Sequence, residues 1–240
     1  MVRDCLELCL EAGVPATFFA THDSPVLDEI RAQSRFELGI HPNFQTGSTH
    51  GADFAQVMAT CMALVPEARC MRTHGLFQSV PLFKWLGDHY PQIAFDVSLF
   101  IPGQTGLRPL MHYYGMGNQK IMRLPFTWED DICFYDPHWD WGRVPAPVPG
   151  MAIYNYHPVH VALNTPSADH YYRNYKPVAA RHPSGTIGRE DCRALTFSGS
   201  GTRSHLEGLL QRIPARSFFT IPDLPGQFDR DLKTDDCAGS

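Results

Sequence analysis

The chain has 240 residues, 43% of them hydrophobic and 19% charged, with a formal net charge of −5. That length suits one α/β core, and an acidic balance without a dense basic block argues against nucleic acid as a partner. No stretch is long and apolar enough to span a bilayer, and the first residues lack the basic-then-apolar run of a signal peptide.

The spacing of Val2, Cys5, Leu6, Cys9 and Leu10 predicts a helix, with Gly13 suited to its C-terminal cap. A strand over Ala16 to Thr21, a helix from Pro25 to Ala32 and a strand over Phe36 to Ile40 begin a β–α alternation. It continues with a helix from Ala52 to Leu64, a strand near Cys70 to Thr73, a helix around Pro81 to Leu86 and a strand from Ile93 to Val97. Lys120 to Leu124 and Met151 to Tyr156 read as strands on either side of a loop rich in Trp, Pro and Asp. The stretch from Asn164 to Ser200 has little pattern and reads as irregular; Thr202 to Arg212 reads as an amphipathic helix and Ser217 to Ile221 as a strand. Such alternation predicts parallel strands joined by crossover helices. We place one domain at residues 1–225 and a polar tail at 226–240. The seven cysteines, Cys5, Cys9, Cys61, Cys70, Cys133, Cys192 and Cys237, are scattered and lack any Cys-x-x-Cys spacing. They read as reduced thiols of a cytoplasmic protein.

Nearly every predicted strand ends in groups able to bind a metal or move a proton. His22 and Asp23 come after the first; His41 comes after the second, where Pro42 turns the backbone away from helix. Arg72 and His74 lie at the end of the third, and Asp96 closes the fourth. Glu129, Asp130 and Asp131 come after Trp128, and His157 and His160 lie in Tyr154-Asn-Tyr-His-Pro-Val-His160. In parallel α/β folds such strand ends form one mouth. A single histidine is more often a hydrogen-bonded core or rim residue than a ligand, but a series at successive strand ends points to a site. Imidazole and carboxylate donors without a thiolate cluster favour zinc.

Ala16-Thr-Phe-Phe-Ala20, Glu37-Leu-Gly-Ile-His41, Arg72-Thr-His74 and the late His157 together resemble the polysaccharide deacetylase pattern, carbohydrate esterase family four. Thr21-His22, Gly39-Ile-His-Pro-Asn-Phe44, Trp128-Glu-Asp-Asp131 and Tyr156-His-Pro-Val-His-Val-Ala-Leu-Asn164 are more similar to a divergent branch associated with bacterial lipopolysaccharide and O-antigen clusters. The likeness covers residues 4 to 165. It implies a distorted β/α barrel of about seven parallel strands that removes an N-acetyl group from a sugar with one divalent metal, zinc by its donor types. On that resemblance His41 matches the first metal histidine, His157 the acid that protonates the departing amine, and Arg72 the arginine that orients the base or braces the site.

The chain also departs from the pattern. Gln45 stands where the family has its second metal histidine. His74, beside Arg72, is the better replacement, with His50 in its flexible loop the poorer one and His22 a further candidate. Glu129 and Asp130 either complete the ligand set or serve as base, while Asp96 and His160 shape the site. The family's opening strand, with its Asp-Asp pair, has no counterpart: sixteen residues precede Thr17, and Asp4 lies in the helical pattern. We expect that strand upstream of Met1; a form lacking its base is the alternative. The expected partner is an N-acetylated sugar, small or polymeric, of a surface polysaccharide or its precursor. The rival reading is a non-catalytic carbohydrate-binding relative, and hydrolysis of another amide or a glycosidic bond stays open because fold does not fix chemistry. Trp128, Trp139 and Trp141 serve sugar stacking or rim packing equally well. Ser98 lacks a Gly-x-Ser-x-Gly elbow.

Overall fold

The computed structural model describes residues 1–114, 120–136, 138–144, 146, 148–182 and 187–228. In chain order it runs α1 (Val2–Ala12), β1 (Ala16–Ala20), α2 (Val26–Arg31), β2 (Phe36–Ile40), α3 (Phe54–Leu64), β3 (Cys70–Met71), α4 (Val80–His89), β4 (Phe95–Asp96), β5 (Leu110–Tyr113) and β6 (Lys120–Arg123). Next come β7 (Trp128–Glu129), α5 (Asp130–Cys133), β8 (Tyr154–Asn155), α6 (Pro158–Leu163) and α7 (Ala168–His170). A π turn over Tyr171–Tyr175 leads into α8 (Lys176–Ala179), α9 (Arg189–Ala194) and α10 (Thr202–Arg212). The chain divides into two compact units. A sheet unit comprises Pro15–Thr127, Val148–Ile153 and Phe218–Ser240; a helical unit comprises Met1–Val14, Trp128–Pro147 and Tyr154–Ser217.

In the sheet unit six strands lie in the order β1-β2-β3-β4-β6-β5, all parallel except β5, which runs antiparallel to β6. The expected barrel of about seven parallel strands is therefore met as an open, mostly parallel sheet, and no closed sheet occurs among the described residues. Helices α3 and α4 start where side chains replace missing backbone partners: Asp53 accepts from the Gln56 amide and Ser79 from the Leu82 amide. Cys70, Phe95, Val97, Leu124, Phe126, Met151 and Ile221 form a core cluster against which Phe228 also packs. Gly39 is required by close approach rather than by conformation. A β-carbon there would come 2.7 Å from the Phe19 ring and 2.8 Å from the Cys70 carbonyl oxygen.

Several elements differ from the sequence expectation. Strand β5 has mostly exposed side chains, so it carries no burial pattern to read and is held by its ladder to β6. Ser217 to Ile221 is not a strand. A 3-10 turn covers Ala215–Ser217, and the Ile221 amide makes a single bond to Thr17 Oγ1 at 2.9 Å. The predicted Met151 to Tyr156 strand contracts to the two residues of β8, which pair in parallel with β7 in the helical unit. His160 lies in helix α6, because Pro158 occupies its first turn. The stretch expected to be irregular carries α7, the π turn, α8 and α9.

In the helical unit α1 packs on α6 and α10; its Cys5, Leu6, Leu8 and Cys9 are buried, and Gly13 ends it at φ 68°. Asn164 joins two helices. It closes α6 in the left-handed region, its Nδ2 donates to the Phe197 and Gly199 carbonyls, and its Oδ1 accepts from Ser204 at the start of α10. The six described cysteines are all free and buried, and burial pushes the Cys9 thiol up to about 11. No helix among the described residues is long and apolar enough to cross a membrane.

His205 is wholly buried in this unit, its ring stacked on Trp128 at 4.7 Å and its Nδ1 2.7 Å from Tyr156 Oη. Burial lowers its pKa from 6.5 to about 4, so the unfolded chain takes up the proton first as pH falls. Stability contributed by neutral His205 is therefore lost as pH drops from 6.5 towards 4. Thermal melts should show a smaller fall in Tm between pH 7 and pH 5 for His205→Gln than for the parent chain. Gly39→Ala should lower unfolding free energy by about 1–3 kcal/mol, read as a lower urea midpoint at unchanged slope.

Candidate active site

In the sheet unit the last rungs of the ladder pair Ala20 with Ile40, Ile40 with Met71, Met71 with Asp96 and Asp96 with Arg123. The residues just beyond these rungs are thereby set along one edge. His41 donates its backbone N–H to Ala20, Arg72 to Ile40, and His74 to Pro42. The His41 and His74 rings meet edge to face, with centroids 5.5 Å apart. Beyond His74 the chain reverses through Gly75 at φ 58° and Leu76 at φ 56°, and the Gln45 side chain lies where a β-carbon of residue 75 would be. Leu76 is one of two non-glycine residues at positive φ among the described residues, a strained conformation held by its surroundings.

The other residues at this edge are tied into the surrounding chain. Asp96 is fully buried, accepts from Ser98 Oγ at 2.6 Å and from Arg123 Nε at 2.8 Å, and Ser98 Oγ in turn accepts the Thr73 amide at 2.9 Å. Burial pushes the Asp96 carboxyl up, and Arg123 and Ser98 pull it back. This network ties Asp96 to the backbone between Arg72 and His74. The Arg72 guanidinium lies over the Phe126 ring at 4.9 Å. His22 is exposed and bonds to Thr21 Oγ1 at 2.7 Å. His50 uses both nitrogens to tie loops, at 2.9 Å from the Thr21 carbonyl and 3.3 Å from the Asn43 amide.

In the helical unit the β7–β8 ladder pairs Glu129 with Asn155, which brings the acidic run beside His157 although 27 residues separate Asp130 from it. Asp130 is fully buried and receives three N–H groups: His157 Nδ1 at 2.6 Å, the His157 amide at 2.8 Å and the Asp131 amide at 2.9 Å. The imidazole is thus fixed with Nδ1 on Asp130 and Nε2 turned to the far side, 3.8 Å from Glu129 Oε1. Glu129 is itself oriented by Asn155 Nδ2 at 2.8 Å. Burial works against charging His157, but Asp130, with Asp131 and Glu129, outweighs it and raises the pKa to about 9. Glu129, Asp131 and His157 each offer a ligand atom within 4.8 Å of the others, the one such group of three among the described residues.

His160, its ring 5.7 Å from that of His157, has surroundings of its own. Its ring lies between Phe134 at 4.5 Å and Tyr171 at 4.7 Å, its Nδ1 is 3.2 Å from Thr165 Oγ1, and burial lowers its pKa to about 4. The sequence-derived set therefore falls into two groups: His22, His41, Arg72, His74 and Asp96 in the sheet unit, and Glu129, Asp130, His157 and His160 in the helical unit. Sequence reasoning names Asp131 among the groups able to bind a metal but leaves it out of the ligand set, and it misses Asn155 behind Glu129 and Arg123 behind Asp96. For Asp131 and Asn155 the available signal is their closeness to Trp128-Glu-Asp and to Tyr154-Asn-Tyr-His.

The family model described as WbmS-like polysaccharide deacetylase matches residues 1–176, and the chain belongs to that family. A solved structure from Bordetella bronchiseptica, WbmS, is similar: 29% identity, TM-score 0.74, covering 88% of this chain and 84% of that one. Its description is a putative polysaccharide deacetylase involved in O-antigen biosynthesis. No curated protein matches.

Asp96→Asn leaves the buried Arg123 guanidinium without its countercharge. It should cost about 3–5 kcal/mol of stability by chemical denaturation.

Proposed function

We propose that the chain is a divalent-metal-dependent hydrolase that removes an N-acetyl group from a sugar of a surface polysaccharide or its precursor. The observation that carries this reading is the convergence of Glu129, Asp131 and His157 around an imidazole locked by Asp130. Two carboxylates and one imidazole are a donor set suited to zinc. A metal-ligating histidine gives its other ring N–H to a carboxylate, the part Asp130 plays, and Asn155 orients Glu129 in the same way. When bound, the ion would polarise the acetyl carbonyl and acidify a water molecule. The substrate class comes from the family and from the description of the Bordetella relative.

A second reading is favoured by the contact of His41 with His74 and by the raised pKa of His157. Here His41 and His74, with His22, hold the ion, Arg72 braces them, and His157 keeps its proton and delivers it to the departing amine.

Metal content and acetate release of purified variants separate these readings. On the first, Asp131→Asn loses bound zinc and Asp130→Asn weakens it by about 10–100-fold, whereas His41→Ala keeps it. Loss of zinc from His41→Ala with retention in Asp131→Asn selects the second. On either, His157→Gln should lower acetate release by at least about 100-fold. A zinc-loaded parent chain that binds N-acetylated sugars yet releases no acetate would leave carbohydrate binding as the function.

A further inference from the structure

The ladder of β7 and β8 has two rungs, Trp128 with Tyr154 and Glu129 with Asn155. Side chains alternate between the two faces of such a pair, so Trp128, Tyr154 and Tyr156 point to one side and Glu129, Asn155 and His157 to the other. The contacts agree. The Trp128 ring lies 5.9 Å from that of Tyr154 and 4.8 Å from that of Tyr156, while Glu129 meets Asn155 Nδ2 at 2.8 Å and His157 Nε2 at 3.8 Å. Donors of the candidate centre thus stand on the front of a ladder whose back is aromatic. A slip of one residue would exchange the two faces, and a pair of strands this short has little stability of its own to resist it.

His205 closes that back. It comes from α10, is wholly buried, stacks on Trp128 with centroids 4.7 Å apart and planes 13° apart, and sets Nδ1 2.7 Å from Tyr156 Oη. One ring therefore grips both segments, each at the residue immediately before a member of the donor group: Trp128 before Glu129, and Tyr156 before His157. Trp139 and Trp141, with centroids 6.0 and 6.1 Å away, enclose it. Leucine or phenylalanine would fill such a space without the cost of burying an imidazole, so packing alone does not call for histidine. The helix that carries it is fastened to the same centre by a second route. Helix α6 begins at Pro158, next to His157, and ends at Asn164, whose Oδ1 accepts from the Ser204 amide at 3.2 Å; Thr202 Oγ1 donates to the Thr165 carbonyl at 3.0 Å. A closed circuit runs from His157 through α6 and α10 back to Tyr156 and Trp128.

We propose that His205 is a positioning residue of the candidate centre: holding Trp128 and Tyr156 together, it fixes the β7–β8 register and so the spacing of Glu129 and His157. The inference rests on the proposed centre and adds the residue that keeps it in register. The test uses the full chain with isotope-labelled histidine. NMR follows the His157 Nδ1–H proton, which the bond to Asp130 protects from exchange, and calorimetry follows zinc binding, both where circular dichroism shows each variant folded. Tyr156→Phe removes one oxygen and leaves the ring; His205→Leu removes the nitrogens and the stacked ring; His205→Gln keeps a polar group able to reach the Tyr156 hydroxyl. Tyr156→Phe and His205→Leu should each lose protection of the His157 proton and weaken zinc binding at least about tenfold, and His205→Gln should recover most of both. Should His205→Leu fail to fold, Tyr156→Phe decides. An unchanged His157 proton and unchanged zinc affinity in the folded variants would make His205 a core residue only and overturn the proposal. Zinc that binds the parent without shifting the His157 ring resonances would defeat the proposed centre, and the Nδ1–H proton alone then upholds or overturns the grip on His157.

Discussion

The candidate centre turns on one buried carboxylate. Asp130 has no exposed surface, and a charge so placed is costly unless each oxygen finds a donor. It finds three, and two belong to His157, so that satisfying Asp130 also fixes where His157 sits and which nitrogen it presents. The β7–β8 ladder makes this possible by setting Glu129 against Asn155, one residue before Asp130 and two before His157. Helix α6 then starts at Pro158. Main-chain pairing, side-chain bonding and a helix start converge on one imidazole.

The sheet unit solves a related problem differently. Asp96 is equally buried but faces Arg123 and Ser98, partners from within the same unit, and the result is a clamp on the backbone before His74. One carboxylate orients a group able to do chemistry; the other holds the chain that carries such groups. Residue type alone does not separate these roles, since each is an aspartate at the end of a short strand.

The legible parts of the sequence were those where local pattern and tertiary environment agree. Phe36–Ile40 is a largely apolar run stopped by Pro42, and Thr202–Arg212 has helical spacing with Ser204 placed to accept the Gly201 amide. Proline does not decide the element by itself: the same residue type that ends a strand after His41 opens a helix after His157. The neighbours on the C-terminal side make the distinction: Asn43 after Pro42, and the apolar Val159, Val161, Ala162 and Leu163 after Pro158. Two-residue strands such as β7 and β8 are set by their partners and not by propensity, and α7, α8 and α9 are too short to show a period. The histidines and carboxylates of the site were visible as residue types at element ends. Their pairing was not, because Asp130 meets His157 only through the register of a ladder.

The proposed centre on Glu129, Asp131 and His157 is the claim on which the functional reading depends. Zinc added to the full chain and located by anomalous diffraction tests it most directly. The account expects one ordered ion on His157 Nε2 and carboxylate oxygens of Glu129 and Asp131, with Asp130 still on His157 Nδ1. An ion on His41 and His74 instead, or no ordered zinc at saturating concentration, would contradict it.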